Sequence, residues 1–358
     1  MKESGIVGLS AAIIVNKAMV WTHGYGYADK ENKILFTPNT IMNIGSISKT
    51  ITGVCLIHAL EDKKLSLDKD INKYLPFKVS NPFFPEDIIT LRHLATHTSG
   101  ITDQSPLYDS SYYYGGDSPE PLGEFLKNYF NPKGKYYKKE NFLNYKSGIH
   151  ENYSNIATAL AGYIIETVTG KKLNEYSKQL IFKPLLMTNT GWFLSEINLA
   201  NHSKLYIKES DTTASIKLYG LTTYPDGGVR TSISDLSKFL ICILKGGENN
   251  ETRILKKESV EEMLARQFTP LKKPGNIDID KDNMGIFWAI KEGGNKIGHR
   301  GADPGVNTYM YYDITKQVGV ILFMNTSLSD AGMEKFISIY DELWKYGMII
   351  KKNIKTSR

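Results

Sequence analysis

Ser46 and Lys49 are the first residues in the chain whose types and spacing could do chemistry. Three positions apart on a helix, they lie on one face, one turn from each other. The residues that follow, 51–60, are apolar nearly all the way round, which predicts a helix buried in the interior. A lysine held away from water loses proton affinity and can act as a base toward a nearby serine. The pair therefore predicts an activated serine nucleophile.

The same spacing occurs a second time, at Ser66 and Lys69. These residues lie in the polar stretch EDKKLSLDKD, where the lysine would be solvated and charged. A serine before a helix is also a common N-cap with no chemical role. The spacing alone is thus weak evidence, and the buried helix that follows Ser46 is what favours the first copy.

An acylating serine also needs a proton donor for the leaving group and groups that bind the developing oxyanion. Tyr153 and Asn155 offer a phenol and an amide just before a predicted helix. The same spacing at Tyr129 and Asn131 is followed by Pro132, which indicates a plain turn.

A third group of candidates stands near the C terminus, where a strand is predicted. His299-Arg300-Gly301 is the only His-x-Gly in the chain, whereas Lys-x-Gly recurs six times. Lys296-Ile297-Gly298 adjoins the histidine motif and is a weaker rival for the same role.

Composition sets the broad class of protein. The chain has 358 residues, 41% hydrophobic and 23% charged, as in an ordinary globular protein large enough for two packed domains. The net charge is +6, but lysines are mixed with acids along the chain and no nucleic-acid-binding motif is present, so we expect no nucleic-acid partner. No apolar run is long enough to span a bilayer.

Cysteine and histidine usage argues against a disulfide framework and a metal site. Cys55 and Cys242 each lie in an apolar helical run and are predicted to be buried hydrophobes. His93 and His97 are four residues apart, but no third ligand stands nearby, so we interpret both as structural. We expect no metal and no other cofactor.

The periodicity of the chain puts strands at both ends and helices between them. A hairpin is predicted around Asn16 and Lys17, a loop-rich lid or pocket wall over 108–139, and a closing helix from Asp330 to about Tyr346. The fold class predicted is α/β: an antiparallel sheet built from both termini, flanked by helices, with an inserted all-α domain. The α/β domain would comprise 1–75 and 220–358, and the mainly helical domain 76–219. Further predicted helices are the one that begins at Ser46 and runs to about Glu61, and those near 155–169, 173–182, 236–244 and 260–268; further strands are predicted near 285–290, 307–312 and 319–323.

The set Ser46-x-x-Lys49, Tyr153-x-Asn155 and His299-x-Gly301, in that order, resembles the serine β-lactamase and penicillin-binding-protein superfamily, and within it the class C branch. Other stretches match as well, so the resemblance covers nearly the whole chain: 24–26, 43–46, 91–100, 184–187, 227–229 and 298–305.

The resemblance implies a fold and a set of roles. An α/β domain and an all-α domain would hold the serine between them. Ser46 would be the nucleophile, Lys49 its base, Tyr153 the proton donor to the leaving group and Asn155 a ligand of the substrate amide. The backbone N–H groups of Ser46 and Ala302 would form the oxyanion hole, and Arg300 and Gly301 would let the substrate lie along the strand edge.

One feature departs from the β-lactamases that the chain resembles. His299 stands where they usually carry lysine, which is closer to the D,D-peptidase and D-aminopeptidase relatives and the mitochondrial member, whereas the family's esterases often carry a tryptophan there. A histidine charges only near neutral pH, with an unperturbed pKa of about 6.5, so capture of anionic substrates would weaken between about pH 6 and 8. The alternative is a neutral His299 that only holds the strand by hydrogen bonds.

We therefore predict a serine hydrolase that forms an acyl-enzyme with small esters or peptide-like amides. A class C-like β-lactamase and a non-catalytic penicillin-binding or scaffold protein are the alternatives. The expected partner is a small ester, lactam or D-amino-acid peptide. The resemblance implies a periplasmic or secreted protein. Because relatives generally carry a helix and an export signal before the first strand, and no clear signal peptide stands here, we expect a trimmed or reset N terminus.

Overall fold

A computed structural model describes residues 5–209 and 212–356, and its central feature is an eight-stranded antiparallel sheet. Strands from the two ends of the chain meet in this sheet, as predicted, because β8 pairs with β1. The order across the sheet is β4-β5-β6-β7-β8-β1-β2-β3. These strands are β1 (Gly8–Val15), β2 (Ala18–Asp29), β3 (Ile34–Leu35), β4 (Asp282–Met284), β5 (Ala289–Lys291), β6 (Lys296–Asp303), β7 (Val306–Asp313) and β8 (Val318–Met324).

The predicted hairpin is confirmed. Asn16 and Lys17 join β1 to β2 with φ angles of 50° and 62°, the left-handed pair that a tight two-residue turn requires. Every residue of β1 is buried, because helices pack on both faces of this part of the sheet.

Eight α-helices among the described residues surround the sheet or form the layer beside it. The helix after Ser46 has eleven buried residues among its fourteen, as its apolar sequence predicts. Cys55 and Cys242 are buried in helices and are not disulfide-bonded. The helices are α1 (Ser48–Glu61), α2 (Leu91–Ala95), α3 (Leu122–Phe130), α4 (Asn155–Thr169), α5 (Leu173–Ser177), α6 (Ile233–Leu244), α7 (Lys257–Leu264) and α8 (Asp330–Thr356).

The closing helix α8 is ten residues longer than predicted. Gly347 does not end it but lets it approach the sheet, since a Cβ there would lie 2.7 Å from Val318 Cγ1. Beyond that glycine, Ile350 and Ile354 continue the apolar face that packs on the sheet. No helix of the described residues is long and apolar enough to cross a membrane.

The segment 108–139, predicted to be loop-rich, also contains α3, whose apolar face is buried. Two other predictions need correction. The strand predicted over 285–290 is interrupted, because Phe287 has a φ of 59° and separates β4 from β5. The helix predicted over 260–268 begins at Lys257 and ends at Leu264. The division into domains at 75/76 and 219/220 stays a prediction.

Short strands among the described residues pair further segments of the chain outside the main sheet. They form four small sheets: Met42–Asn43 with Arg230–Thr231; Tyr112–Tyr114 with Tyr219–Leu221; Leu205–Glu209 with Thr212–Ile216 and Thr326–Ser327; and Glu248–Asn249 with Thr252–Arg253.

Candidate active site

Ser46 lies in a 3-10 turn, Gly45–Ile47, that leads directly into α1. The turn packs against β6, where a Cβ on Gly45 would lie 3.1 Å from the amide nitrogen of Ala302. Gly45 also has a φ of 53°, a conformation that glycine adopts without strain. The backbone at Ser46 and Ala302 is thereby brought together, as the predicted oxyanion hole requires.

Lys49 lies beneath Ser46 and is fully buried. Its Nζ donates hydrogen bonds to Ser46 Oγ at 3.0 Å, to Asn155 Oδ1 at 2.6 Å and to the carbonyl oxygen of Asp226 at 2.8 Å. The three acceptors fix the amine at hydrogen-bonding distance from the serine oxygen, where proton transfer between them is direct.

Tyr153 and Asn155 reach the site from the start of α4. Ser154 caps that helix by accepting from the Ala157 amide at 3.0 Å. The Asp103 carboxylate accepts from the amides of Asn155 and Ile156 at 2.9 and 3.0 Å and from Ser154 Oγ at 2.9 Å. A carboxylate at a helix N-terminus satisfies otherwise unpaired N–H groups, and here it fixes the backbone that carries Asn155.

Strand β6 passes the serine with almost no space between them. A Cβ on Gly301 would lie 2.1 Å from the carbonyl oxygen of Ile44, so only glycine fits there. Thr308, on the neighbouring strand, donates from Oγ1 to the same carbonyl at 2.8 Å. β5 pairs with residues 296–298 alone, so the part of β6 from 299 to 303 has no strand partner on that side among the described residues.

These elements enclose a cavity of about 610 Å³. It contains seven of the eight residues predicted for the site; the eighth, Lys49, lies beneath the floor. The cavity is lined by Ser46, Tyr108, Tyr112, Glu151, Tyr153, Asn155, Met284, Ala289, Lys291, His299, Arg300, Gly301, Ala302, Asp303, Asn307, Tyr309, Tyr311 and Met333.

His299 is buried, and its protonation is settled by its surroundings. Its Nδ1 lies 2.6 Å from the carbonyl oxygen of Arg300, and because a carbonyl only accepts, Nδ1 carries the proton. Burial, with the positive charge of Lys49, lowers the pKa of His299 to about 3. The structure thus favours the neutral, strand-holding alternative over a cation at neutral pH.

Two acids, the buried Asp226 and the half-buried Asp303, lie close to Lys49 and were not predicted from the sequence. Burial raises the pKa of Asp226 to about 7 and that of Asp303 to about 6. Tyr108 donates to Asp226 Oδ1 at 3.2 Å, and Tyr112 donates to Asp303 Oδ1 at 2.7 Å. The segment 108–139 therefore does form a wall of the cavity, through these two phenols.

Lys296, of the motif that rivals His299-x-Gly301, has its side chain outside the cavity. Lys296 Nζ pairs with Glu292 at 2.5 Å and lies 4.5 Å from the ring centroid of Trp344, and it does not line the cavity. Asp103 and Asp226, which do contact the site, carry no motif; their only sequence signal is an acid just after Gly100-Ile101-Thr102 and one just before Gly227-Gly228.

The chain is similar to known proteins along most of its length. A family model described as Beta-lactamase matches residues 1–338. PbpX of Bacillus subtilis is 28% identical over 337 residues, which cover 91% of this chain and 72% of PbpX. Protein flp of Staphylococcus aureus is 26% identical over 242 residues, 67% of this chain but only 46% of flp, so this chain matches about half of that relative.

A solved structure shows the same fold. The D-amino acid amidase from Ochrobactrum anthropi, complexed with D-phenylalanine, superimposes with a TM-score of 0.74 over 99% of this chain and 96% of that one, at 22% identity. The mixed α/β architecture with a large antiparallel sheet is therefore that of β-lactamase-like proteins. The chain belongs to the β-lactamase family, within the serine β-lactamase and penicillin-binding-protein superfamily.

Proposed function

We propose that this protein is a serine hydrolase that works through an acyl-enzyme on small esters or peptide-like amides. The observation that carries the proposal is the hydrogen bond of 3.0 Å from the buried Lys49 Nζ to Ser46 Oγ, at the floor of an open cavity. A serine hydroxyl is a weak nucleophile until a base within hydrogen-bonding distance removes its proton.

Acylation would proceed from these contacts. In its neutral form the Lys49 amine keeps its two N–H groups on Asn155 Oδ1 and the carbonyl oxygen of Asp226, and its lone pair takes the proton of Ser46 as Oγ attacks the carbonyl carbon of the substrate. The carbonyl oxygen becomes negative and is bound by the backbone N–H groups of Ser46 and Ala302. Tyr153, whose ring centroid is 4.9 Å from Lys49 Nζ, passes a proton to the leaving group as the tetrahedral intermediate collapses. Water then hydrolyses the acyl-enzyme and restores Ser46.

The open edge of β6 supplies a binding mode for the acyl group. Backbone groups between His299 and Asp303 have no strand partner on the cavity side in the described part of the chain, so an extended substrate can add there as a strand. Asn155 stands opposite and can hydrogen-bond a substrate amide through its side-chain nitrogen, since its oxygen is held by Lys49.

In this cavity Arg300, and not His299, would bind an anionic group of the substrate. Because His299 is neutral and its Nδ1–H is held by a carbonyl, it offers a substrate carboxylate no charge. Arg300 lines the cavity, is exposed and forms no ion pair with any described residue. Lys291 also lines it but is paired with Asp282 at 2.7 Å.

A substrate panel tests the proposal. We expect turnover of p-nitrophenyl esters or of a short D-amino-acid amide or D-Ala-D-Ala peptide, and slow or no turnover of nitrocefin, since lysine is absent from the position of His299. Ser46→Ala is the control and must lose all turnover. Rapid nitrocefin hydrolysis would instead support the β-lactamase alternative.

A non-catalytic binding protein would give a different result in the same assay. It would be labelled once by a fluorescent penicillin at Ser46 and would turn over no member of the panel. The buried Lys49 argues against this alternative, because a purely binding site gains nothing from an amine withdrawn from water.

A further inference from the structure

His97 packs against Tyr153 and hydrogen-bonds the residues on both sides of it in the chain. Its ring packs on the Tyr153 ring with centroids 4.3 Å apart. Its carbonyl oxygen accepts from the Asn152 amide at 2.8 Å, and its Nδ1 accepts from the Ser154 amide at 3.2 Å. One residue therefore holds the backbone both before and after Tyr153 while its imidazole supports the side chain.

The backbone of His97 is in an uncommon conformation that makes these contacts compatible. Its φ is 56°, in the left-handed region, which costs a side-chain-bearing residue about 1 kcal/mol or more. Such conformations persist where the surrounding structure requires them, often at functional sites. Here the left-handed turn after α2 lets both the carbonyl and the imidazole of one residue face the segment 152–154.

The imidazole is not a reagent itself. Because Nδ1 accepts a backbone N–H, the ring proton is on Nε2, which is buried and has no hydrogen-bond partner among the described residues. An unpaired buried donor costs about 1–3 kcal/mol of stability, so the imidazole is a poor choice for packing alone. Its burial lowers its pKa well below the ordinary value, and it stays neutral.

Tyr153 needs such support because little else holds it. The tyrosine is 42% exposed to the cavity. In the described part of the chain no group forms a hydrogen bond with its phenol oxygen, and its other ring contacts, to His299 and to Lys49 Nζ, are longer, at 6.3 and 4.9 Å. Displacing a proton donor by about 1 Å can cost a hundredfold in rate.

We infer that His97 is the positioning residue for Tyr153: it sets where the phenol stands relative to Ser46 and Lys49, and hence the efficiency of proton delivery to the leaving group. The inference rests on the proposed function, in which Tyr153 is that donor.

The test uses two variants whose residues tolerate a left-handed φ. His97→Asn keeps a side-chain oxygen that can accept from the Ser154 amide but removes the ring, and His97→Gly removes both. The substrates are ethyl butyrate and p-nitrophenyl butyrate, which differ in how much their leaving groups need a proton. His93→Asn is the matched control, because His93 also accepts a backbone amide through Nδ1, in α2, and makes no contact with Tyr153.

We expect kcat on ethyl butyrate to fall about 10- to 100-fold in His97→Gly, less in His97→Asn, and not in His93→Asn, with KM nearly unchanged in all. The loss on p-nitrophenyl butyrate should be only a few-fold, because nitrophenolate leaves without a proton. In a Tyr153→Phe background, His97→Gly should cost nothing further, since the two residues act as one unit. A merely structural role would lower both esters equally and in both backgrounds.

Several results would overturn the inference. One is full activity of folded His97→Gly, and another is multiplication of the His97 and Tyr153 losses in the double variant. Thermal unfolding of each variant shows whether it is folded, and His97→Asn replaces His97→Gly if the latter is not. Wild-type protein that hydrolyses neither ester nor any other member of the substrate panel, or Ser46→Ala that hydrolyses both esters, would refute the proposed function itself and the inference with it.

Discussion

Ser46 and Ser66 each stand three residues before a lysine, but their surroundings in the structure are opposite. Lys49 is buried and donates to Ser46, whereas Lys69 is exposed and the segment around it is not helical. Ser66 is used in a turn, where its Oγ accepts from the Asp68 amide at 3.4 Å. The same spacing therefore yields a nucleophile and base in one place and a surface turn in the other, and the difference lies in what packs around each pair.

The two Tyr-x-Asn copies differ in the same way. Tyr153 is half-exposed and faces the cavity, whereas Tyr129 is fully buried and donates to the carbonyl of Thr102 at 2.6 Å. Asn155 binds Lys49, whereas Asn131 accepts from the Lys133 amide and closes a turn. In both cases the copy that can do chemistry is the one that the fold places at the cavity.

The largest effect should come from the serines themselves. We expect Ser46→Ala to abolish ester hydrolysis and Ser66→Ala to leave it unchanged, because only the first has an amine within hydrogen-bonding distance. Initial rates on p-nitrophenyl butyrate measure both. Loss of activity in a folded Ser66→Ala protein would mean that the nucleophile has been assigned to the wrong serine.

The next largest effect should come from the groups that move protons. Lys49→Ala and Tyr153→Phe should each lower kcat/KM for an alkyl ester by about a hundredfold or more, as loss of a general acid or base does. Their losses should not multiply in the double variant, since both act on one proton path. Lys69→Ala and Tyr129→Phe are the matched controls. Tyr129→Phe loses a buried hydrogen bond and about 1 kcal/mol of stability, but not activity.

Asp226, near Lys49, and Asp68, next to Lys69 in the sequence, should contribute to stability with opposite dependence on pH. The pKa of Asp226 is raised to about 7, so its contribution to stability is present below the ordinary pKa of an aspartate and is lost as pH rises toward 7. The pKa of Asp68 is lowered by its ion pair with Arg92, so its contribution is present above that ordinary value and is lost as the solution becomes more acidic.

Urea unfolding as a function of pH measures this contrast. Relative to Asp226→Asn, wild type should lose at most about 4 kcal/mol between pH 4 and 7, a ceiling set by the size of the pKa shift. Relative to Asp68→Asn, wild type should lose a smaller amount as pH falls below about 4, because Asp68 is exposed. Parallel pH curves for wild type and Asp226→Asn would show that the carboxyl near Lys49 is not perturbed by burial.

The smallest effect should be the pH dependence due to His299. With its pKa near 3, the imidazole does not titrate around neutrality, so the ratio of kcat/KM for an anionic ester to that for a neutral ester should follow the same pH profile between about pH 6 and 8 in wild type and in His299→Gln. Any fall in that range should come from ionisation of Asp303 and Asp226, whose pKa values are about 6 and 7. His299→Lys should raise the ratio by adding a permanent cation, and Arg300→Gln should lower it. A fall through this range that occurs in wild type and is absent from His299→Gln would restore the charged histidine.

Most elements of the fold could be predicted from the sequence because they have local signals, and the eight residues predicted for the site lie around one cavity, although their roles stay predictions. Examples are the apolar helix after Ser46 and the unique His-x-Gly at residue 299. Asp103 and Asp226 were missed because an isolated acid carries no signal until the fold buries it. The charge of His299 was left open for the same reason, since its pKa depends on burial and on a hydrogen bond to Arg300 that no spacing reveals.

The central claim, that the fold makes a nucleophile of Ser46 and not of Ser66, is tested most directly by mapping a covalent label. The protein is reacted with a fluorophosphonate, its intact mass is measured, and the modified peptide is located by tandem mass spectrometry. We predict one adduct per chain, on Ser46, with none in Lys49→Ala over the same time. An adduct on Ser66 or on any other residue, or ester turnover by a protein in which Ser46 never reacts, would contradict the account.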